Sequence, residues 1–185
     1  MTDIIEPNPD PNPENARSGF IAILGAPNVG KSTFINRVVG TKVSIVTPKV
    51  QTTRTRVLGI MMRGDTQLIF IDTPGIFKPH RRLDRAMVAA AWGGASDADH
   101  IILLVDSERG FDKDTRRIIE GLNKKKMRVD LIINKVDLVK KEKLLDLTSK
   151  LHGECDFEDT YMISALKGEG VDDLLDHLAG LIPAG

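Results

Sequence analysis

Phe20-Ile-Ala-Ile-Leu24-Gly25-Ala26-Pro27-Asn28-Val29-Gly30-Lys31-Ser32-Thr33 reads as an apolar strand, a glycine-bounded loop and the opening of a helix. Residues 25–32 match G-x-x-x-x-G-K-[ST], and the flanking strand and helix are the context this phosphate-binding loop requires. Its glycines let backbone N–H groups turn toward an anion, and the helix N-terminus adds favourable potential. Lys31 is expected to reach the β- and γ-phosphates of a nucleotide and the Ser32 hydroxyl to ligate magnesium. Ala26, Pro27, Asn28, Val29, Gly30 and Thr33 complete the expected nucleotide contacts of this loop.

Further apolar runs lie at residues 57–61, 68–71, 101–105, 129–133 and 161–163, which with 20–24 makes six. Runs this apolar, without polar alternation, suit strands buried on both faces, as in a parallel sheet covered by helices. Helical spacing fills the intervals: Leu83, Met87 and Ala90; Ile118, Ile119 and Leu122; Leu144, Leu147 and Leu151; and Val171, Leu174, Leu175, Leu178 and Ile182. Arg63-Gly64-Asp65 lies between the runs at 57–61 and 68–71, which predicts a hairpin and one antiparallel strand. The expected fold is α/β: three layers, αβα, with a mostly parallel six-stranded sheet. Residues 1–18 are acidic and rich in Pro and Asn, and are expected to be a disordered tail before a domain at 19–183.

Four more segments carry chemistry. Leu68-Ile-Phe-Ile-Asp72-Thr73-Pro74-Gly75 places Asp72 at a strand's carboxyl end, where it is expected to hold magnesium through a water. Gly75 can offer its N–H to the γ-phosphate and absorb the backbone change when that phosphate leaves. Asp106, which also ends a strand, is the weaker candidate for the magnesium-linked acid because Ser107-Glu108-Arg109 offers no comparable turn. In Asn134-Lys135-Val136-Asp137, the Asp137 carboxylate can accept hydrogen bonds from N1–H and the 2-amino group of guanine, which adenine lacks. Lys135 is expected to stack on the ring, and Asn134 to contact the base edge and tie this loop to the phosphate loop. Ile163-Ser164-Ala165-Leu166 is expected to close the base site, with the Ala165 N–H on guanine O6. A second magnesium ligand is sought in Gln51-Thr52-Thr53-Arg54, where Thr53 is preferred to Thr52. Lys31, Thr53 and Gly75 are thus the residues expected to act on the transferred phosphate.

Composition narrows the partners. Lys plus Arg and Asp plus Glu both number 26 among 185 residues, so the chain as a whole lacks a nucleic-acid binder's electrostatic footprint, and no DNA partner is expected. Cys155 is the single cysteine, which excludes an internal disulfide and fits a reducing cytoplasm. His80, His100, His152 and His177 are scattered, without metal-ligand spacing, and are read as solvated or packing residues. Lys124 to Lys126 at one helix end and Asp172-Asp173 at the start of another complement helix dipoles. Trp92, beside Gly93 and Gly94, is read as packing at a helix end.

The spellings Gly25-Ala-Pro-Asn-Val-Gly-Lys-Ser, Lys42-Val-Ser-Ile-Val, Gln51-Thr-Thr-Arg and Asp72-Thr-Pro-Gly-Ile76 resemble the Era family of TRAFAC-class bacterial GTPases, over residues 19–183. The resemblance implies a Ras-like fold, a GTP/GDP switch with magnesium, and a role of the whole protein in maturing the small ribosomal subunit through 16S rRNA. In that family a C-terminal KH domain makes the RNA contact. No Gly-x-x-Gly loop follows the last helix, so the chain is expected to be the GTPase domain of a longer protein. The family resemblance also implies a cytoplasmic location with peripheral contact at the inner membrane. The basic segment Lys78-Pro-His-Arg-Arg-Leu-Asp-Arg85 could face RNA or the missing domain, though such clusters are more often solvated faces.

Hydrolysis by such a site depends on positioning and charge neutralisation. Where Ras-like enzymes carry a water-orienting glutamine, this chain has Ile76, which predicts slow intrinsic turnover. Asn28, as in Era relatives that use a monovalent cation, is expected to place potassium beside the phosphates. Two rivals share the phosphate loop: an ATP-using kinase or ATPase, which has no use for Asn134-Lys-x-Asp137, and a non-catalytic guanine-nucleotide-binding assembly module.

Overall fold

The apolar run that opens the domain becomes β1 (Arg17–Gly25), and Ile21, Ala22 and Ile23 are wholly buried in it. It follows that β1 lies inside the sheet. It pairs in parallel with β3 (Thr66–Asp72) on one side and β4 (His100–Asp106) on the other. β5 (Asp130–Asn134) and β6 (Thr160–Met162) extend the parallel run, while β2 (Arg56–Arg63) is antiparallel to β3, giving the order β2-β3-β1-β4-β5-β6. This computed structural model describes residues 15–39, 56–72, 95 and 98–184.

Alternate residues of the strands feed two cores. Ala22, Leu24, Leu103, Val105, Leu131 and Ile133 face α2 (Lys113–Lys125) and α3 (Lys141–Glu154), with Ile118, Ile119, Leu122, Leu147 and Leu151 packed on them. Ile21, Ile23, Ile102, Leu104 and Ile132 face α1 (Lys31–Val39) and α4 (Val171–Leu181), and there Phe34 meets Phe70 edge to face at 5.7 Å. Double-sided burial is why β1, β4 and β5 read as unbroken apolar runs, and the three αβα layers follow from it. The β2–β3 hairpin turns through Gly64-Asp65 and carries a bulge between Val57 and Gly59. The helix expected around Leu83, Met87 and Ala90, and Trp92 after it, lie outside the described residues.

The expected tail reaches two residues too far. Arg17 and Ser18 belong to β1, opposite Thr66 and Gln67. They are held by polar bonds that leave no apolar signal: the Arg17 N–H donates to the Asp65 carbonyl, and the Ser18 hydroxyl donates to Gln67 Oε1 at 3.1 Å. Lys126 caps α2 in the left-handed region at φ 52°, and the basic last turn of the helix is as expected. No helix among the described residues is long and apolar enough to cross a membrane.

The histidines are not all scattered. His100 opens β4, Asp130 opens β5 and His177 lies on α4; both Nε2 atoms donate to Asp130 Oδ2 at 2.7 Å, and the Asp159 N–H donates to Oδ1. Asp130 is wholly buried. Burial pushes its carboxyl up, but the bonds from His100 and His177 outweigh that and hold it below the ordinary carboxylate value. A carboxyl depressed in the folded state stabilises fully above its unfolded value, about 3.9, and that stabilisation is lost as pH falls through the folded value. We expect Asp130→Asn to destabilise the fold by about 2 kcal/mol at pH 7. Its stability should also vary less than wild type's below pH 4; parallel acid-unfolding curves followed by circular dichroism would contradict this.

Candidate nucleotide site

All five parallel strands deliver their carboxyl ends to one edge of the sheet, and chain order switches sides at β1, which has β3 on one side and β4 on the other. Ligands of open α/β sheets bind at such a point. Between β1 and α1, Ala26 and Val29 are buried anchors, whereas Pro27 and Asn28 are exposed at the tip. Asn28 is left-handed at φ 64° and Gly30 lies at φ 103°, where a side chain would be strained. The first helical bond of α1 is from the Phe34 N–H to the Gly30 carbonyl. Residues 31–33 therefore lack an intrahelical acceptor, the condition for an anion site.

Two clefts flank this loop. The first, about 250 Å³, is lined by Lys31, Ser32, Ile35, Asn36, Leu58 and Asp72. In it Lys31 Nζ sits 3.3 Å from the Gly25 carbonyl and 3.9 Å from Asp72 Oδ1. Lysine, hydroxyl and carboxylate are thus together, as expected. The second cleft, about 190 Å³, is lined by Gly30, Thr33, Asn134, Lys135, Asp137, Leu138, Ser164 and Leu166. Neither alone reaches the few hundred Å³ of a usual cofactor pocket. Thr52, Thr53, Gly75, Ile76 and the basic segment 78–85 lie outside the described residues.

Side chains bind the two clefts into one unit. Asn134, at the end of β5 and 2% exposed, donates through Nδ2 to the Val29 carbonyl at 2.9 Å and accepts at Oδ1 from the Ala165 N–H at 3.0 Å. The tie to the phosphate loop is as expected. The Ala165 N–H, expected on guanine O6, here donates to Asn134 Oδ1, because β5 and β6 end side by side. Lys135, left-handed at φ 63°, donates from Nζ to the Asn28 carbonyl at 3.0 Å and to Asp106 Oδ2 at 2.8 Å. Asp137 lies in the short 3₁₀ turn Val136–Leu138 that follows.

The two strand-end acids take different places. Asp106 gives one oxygen to Lys135 and the other to the N–H groups of Glu108 and Arg109. Burial raises its carboxyl, but Lys135 and those amides more than offset this and hold it below the ordinary range. It is a holder of Lys135, and Asp72 is the acid at the lysine cleft. Sequence reasoning missed three other contributors. Ser107 donates its hydroxyl to the Lys135 carbonyl, and Arg37 of α1 donates to the carbonyls of Ala165 and Leu166. Arg109 donates to the Pro27 carbonyl at 2.7 Å. Arg37 stands 128 positions from Ala165, a separation at which local pattern carries no signal.

A phosphate loop at the sheet's switch point, a strand-end acid beside its lysine, and an Asn-Lys-x-Asp turn bridged to it define a P-loop GTPase domain. Residues 20–135 match the family described as 50S ribosome-binding GTPase, and the chain belongs to that family. It is 56% identical over 169 residues to GTPase Era of Rhizobium meliloti, covering 91% of this chain and 54% of that protein. GTPase Era of Dinoroseobacter shibae is 54% identical over 178 residues, 93% of this chain and 58% of that protein. The chain thus spans about half the length of the curated relatives it matches. Among solved structures, an Era variant of Aquifex aeolicus bound to GDP·AlF4⁻ superposes with TM-score 0.73 at 36% identity, over 91% of this chain and 58% of that one. An Era complex with MgGDPNP and nucleotides 1506–1542 of 16S ribosomal RNA gives TM-score 0.73 at 37% identity, over 92% and 58%. The Era-type GTPase domain with a Ras-like fold, expected from the motif spellings, is borne out.

Proposed function

We propose that this chain binds GTP with magnesium, hydrolyses it to GDP and phosphate, and acts as the switch domain of a longer Era-like protein. The observation that carries this reading is the bridge from Asn134 and Lys135 to the Val29 and Asn28 carbonyls, which holds a base-reading turn and a phosphate loop in one frame. A nucleotide would span that frame, its base in the Asp137 cleft and its phosphates toward Lys31. Leu138 and Leu166, 55% and 70% exposed on the rim of the base cleft, offer apolar faces to a planar ring. The Era neighbours, one bound to GDP·AlF4⁻ and one in complex with MgGDPNP, support the same ligand class.

A hydroxyl at Ser32 and a carboxylate at Asp72 in one cleft are hard oxygen donors of the kind magnesium takes. Bound there, the ion would neutralise charge on the β- and γ-phosphates. Lys31 adds a second positive charge, and the N–H groups that open α1 receive the phosphate oxygens. Thr53 and Gly75 are assigned by the Era resemblance to the ion and the γ-phosphate, and Ile76 leaves the attacking water without a side-chain partner, so turnover should be slow. Asn28 is the proposed support for potassium. For the whole protein we propose 16S rRNA of the small ribosomal subunit as partner, reached through a KH domain.

The test is nucleotide binding and single-turnover phosphate release by the 185-residue chain. We expect GTP to bind and ATP not, phosphate to be released only with magnesium, and release to be faster in potassium than in sodium, a difference lost in Asn28→Ala. Equal binding of ATP would refute the base assignment, and absent release would favour the assembly module. Equal rates in the two salts would remove the potassium proposal alone.

A further inference from the structure

Three consecutive carbonyls of the phosphate loop are each held by a side chain from the β4–β5 side: Val29 by Asn134, Asn28 by Lys135 and Pro27 by Arg109. In a planar trans peptide the carbonyl and the following N–H point in opposite directions. Fixing the carbonyls of residues 27, 28 and 29 therefore aims the N–H groups of Asn28, Val29 and Gly30 to the other side, as a cradle for an anion. Two of the three holders belong to the Asn-Lys-x-Asp motif. The third does not, and its position is defined by a separate set of bonds.

We propose that Arg109 is a positioning residue of the nucleotide site, holding the Pro27 carbonyl so that the Asn28 N–H faces the phosphates. One arm of its guanidinium, Nη1, lies 2.7 Å from the Pro27 oxygen. The other, Nη2, lies 2.7 Å from Asp112 Oδ2 and 3.8 Å from Asp114. Asp112 is itself fixed, because its second oxygen accepts from the Thr115 N–H and caps α2 at 2.9 Å. A planar fork bonded at both arms has little freedom to swing. The N-terminus of α2 thus sets the position of the phosphate loop, through an arginine four residues from it. Asp106 adds to this by accepting from the Arg109 N–H at 3.4 Å, so one carboxylate helps place both Lys135 and Arg109.

The inference rests on the nucleotide reading above, and its test separates the two. Arg109 is 39% exposed on its side chain, and ion pairs this open to solvent contribute little to stability. Arg109→Ala should therefore leave the melting temperature nearly unchanged while single-turnover GTP hydrolysis falls about tenfold, less than for outright loss of a transition-state donor because the Asn28 N–H is misaimed rather than removed. Affinity for GDP and GTP should drop with it, but the preference for guanine over adenine should not move, since Asp137 is untouched. Arg109→Lys keeps one donor and should recover part of the rate. Asp112→Asn preserves a good helix cap but removes the charge that holds the fork, and should fall between Arg109→Ala and wild type. Arg128→Ala, which removes an exposed pair with Glu158 at the other end of β5, serves as the unchanged control. Wild-type rates and affinities in Arg109→Ala would overturn the proposal with the nucleotide reading intact. A wild-type chain that bound no guanine nucleotide would overturn both. A large fall in melting temperature, with hydrolysis lost equally in the Lys variant, would show a folding role and overturn it too.

Discussion

Asp137→Asn should exchange the preferred nucleotide, losing GTP and gaining xanthosine triphosphate. The carboxylate lies in the 3₁₀ turn after Lys135 and lines the base cleft with Leu138 and Leu166. Guanine presents two donors, N1–H and the 2-amino group, and a carboxylate is acceptor-only, so the two match. An asparagine offers one acceptor and one donor group, which matches the 2-oxo group of xanthine and leaves the guanine amino group facing another donor. Sites built to pair with a polar substituent reject the mismatched analogue strongly, so we expect at least about a hundredfold loss of GTP affinity. Competition binding with the two triphosphates reads both halves of the exchange. A variant with unchanged GTP affinity would remove Asp137 from the base site.

The second large effect is expected from Gly30→Ala. Gly30 sits at φ 103°, a conformation that costs any L side chain, and an added Cβ would collide with Asn134 Nδ2. Asn134 has nowhere to yield, because it is buried and bonded to both Val29 and Ala165. Displacing it breaks two buried hydrogen bonds at once. Strain and lost bonds together should cost about 3 kcal/mol, which for a chain of this size lowers the melting temperature by about 10 °C. The same displacement uncouples the base turn from the phosphate loop, so nucleotide affinity should collapse even below the new melting point. A variant that melted and bound like wild type would show that the loop tolerates a side chain there.

Much of this is legible in the amino-acid sequence. The inner strands announced themselves because residues such as Ile21 to Leu24 and Ile101 to Val105 are buried from both sides, and two-sided burial leaves unbroken apolar runs. The strand ends did not, since Arg17 and Ser18 are held by polar bonds that any loop could also make. Lys31, Asp72, Asn134 and Asp137 were legible because phosphate, metal and base chemistry restrict which residue types can serve at those spacings. Arg37, Arg109 and the pairing of Asp106 with Lys135 were not, because each is a contact between elements distant in sequence. The joining of His100 and His177 through Asp130 is of the same kind, with 30 and 47 residues separating the partners.

A sheet of six strands has two edges, and an edge with a long flat row of unpaired amides invites another chain to add to it. Among the described residues neither edge offers one. β6 has only three residues. β2 is kinked by its bulge at Val57 to Gly59, and Arg63 at its hairpin end is bound to Asp172 and Asp176 of α4. The same short strand and the same bulge that shape the fold therefore protect it against edge-to-edge aggregation, so the domain can present its nucleotide edge to solvent without presenting a template for fibres.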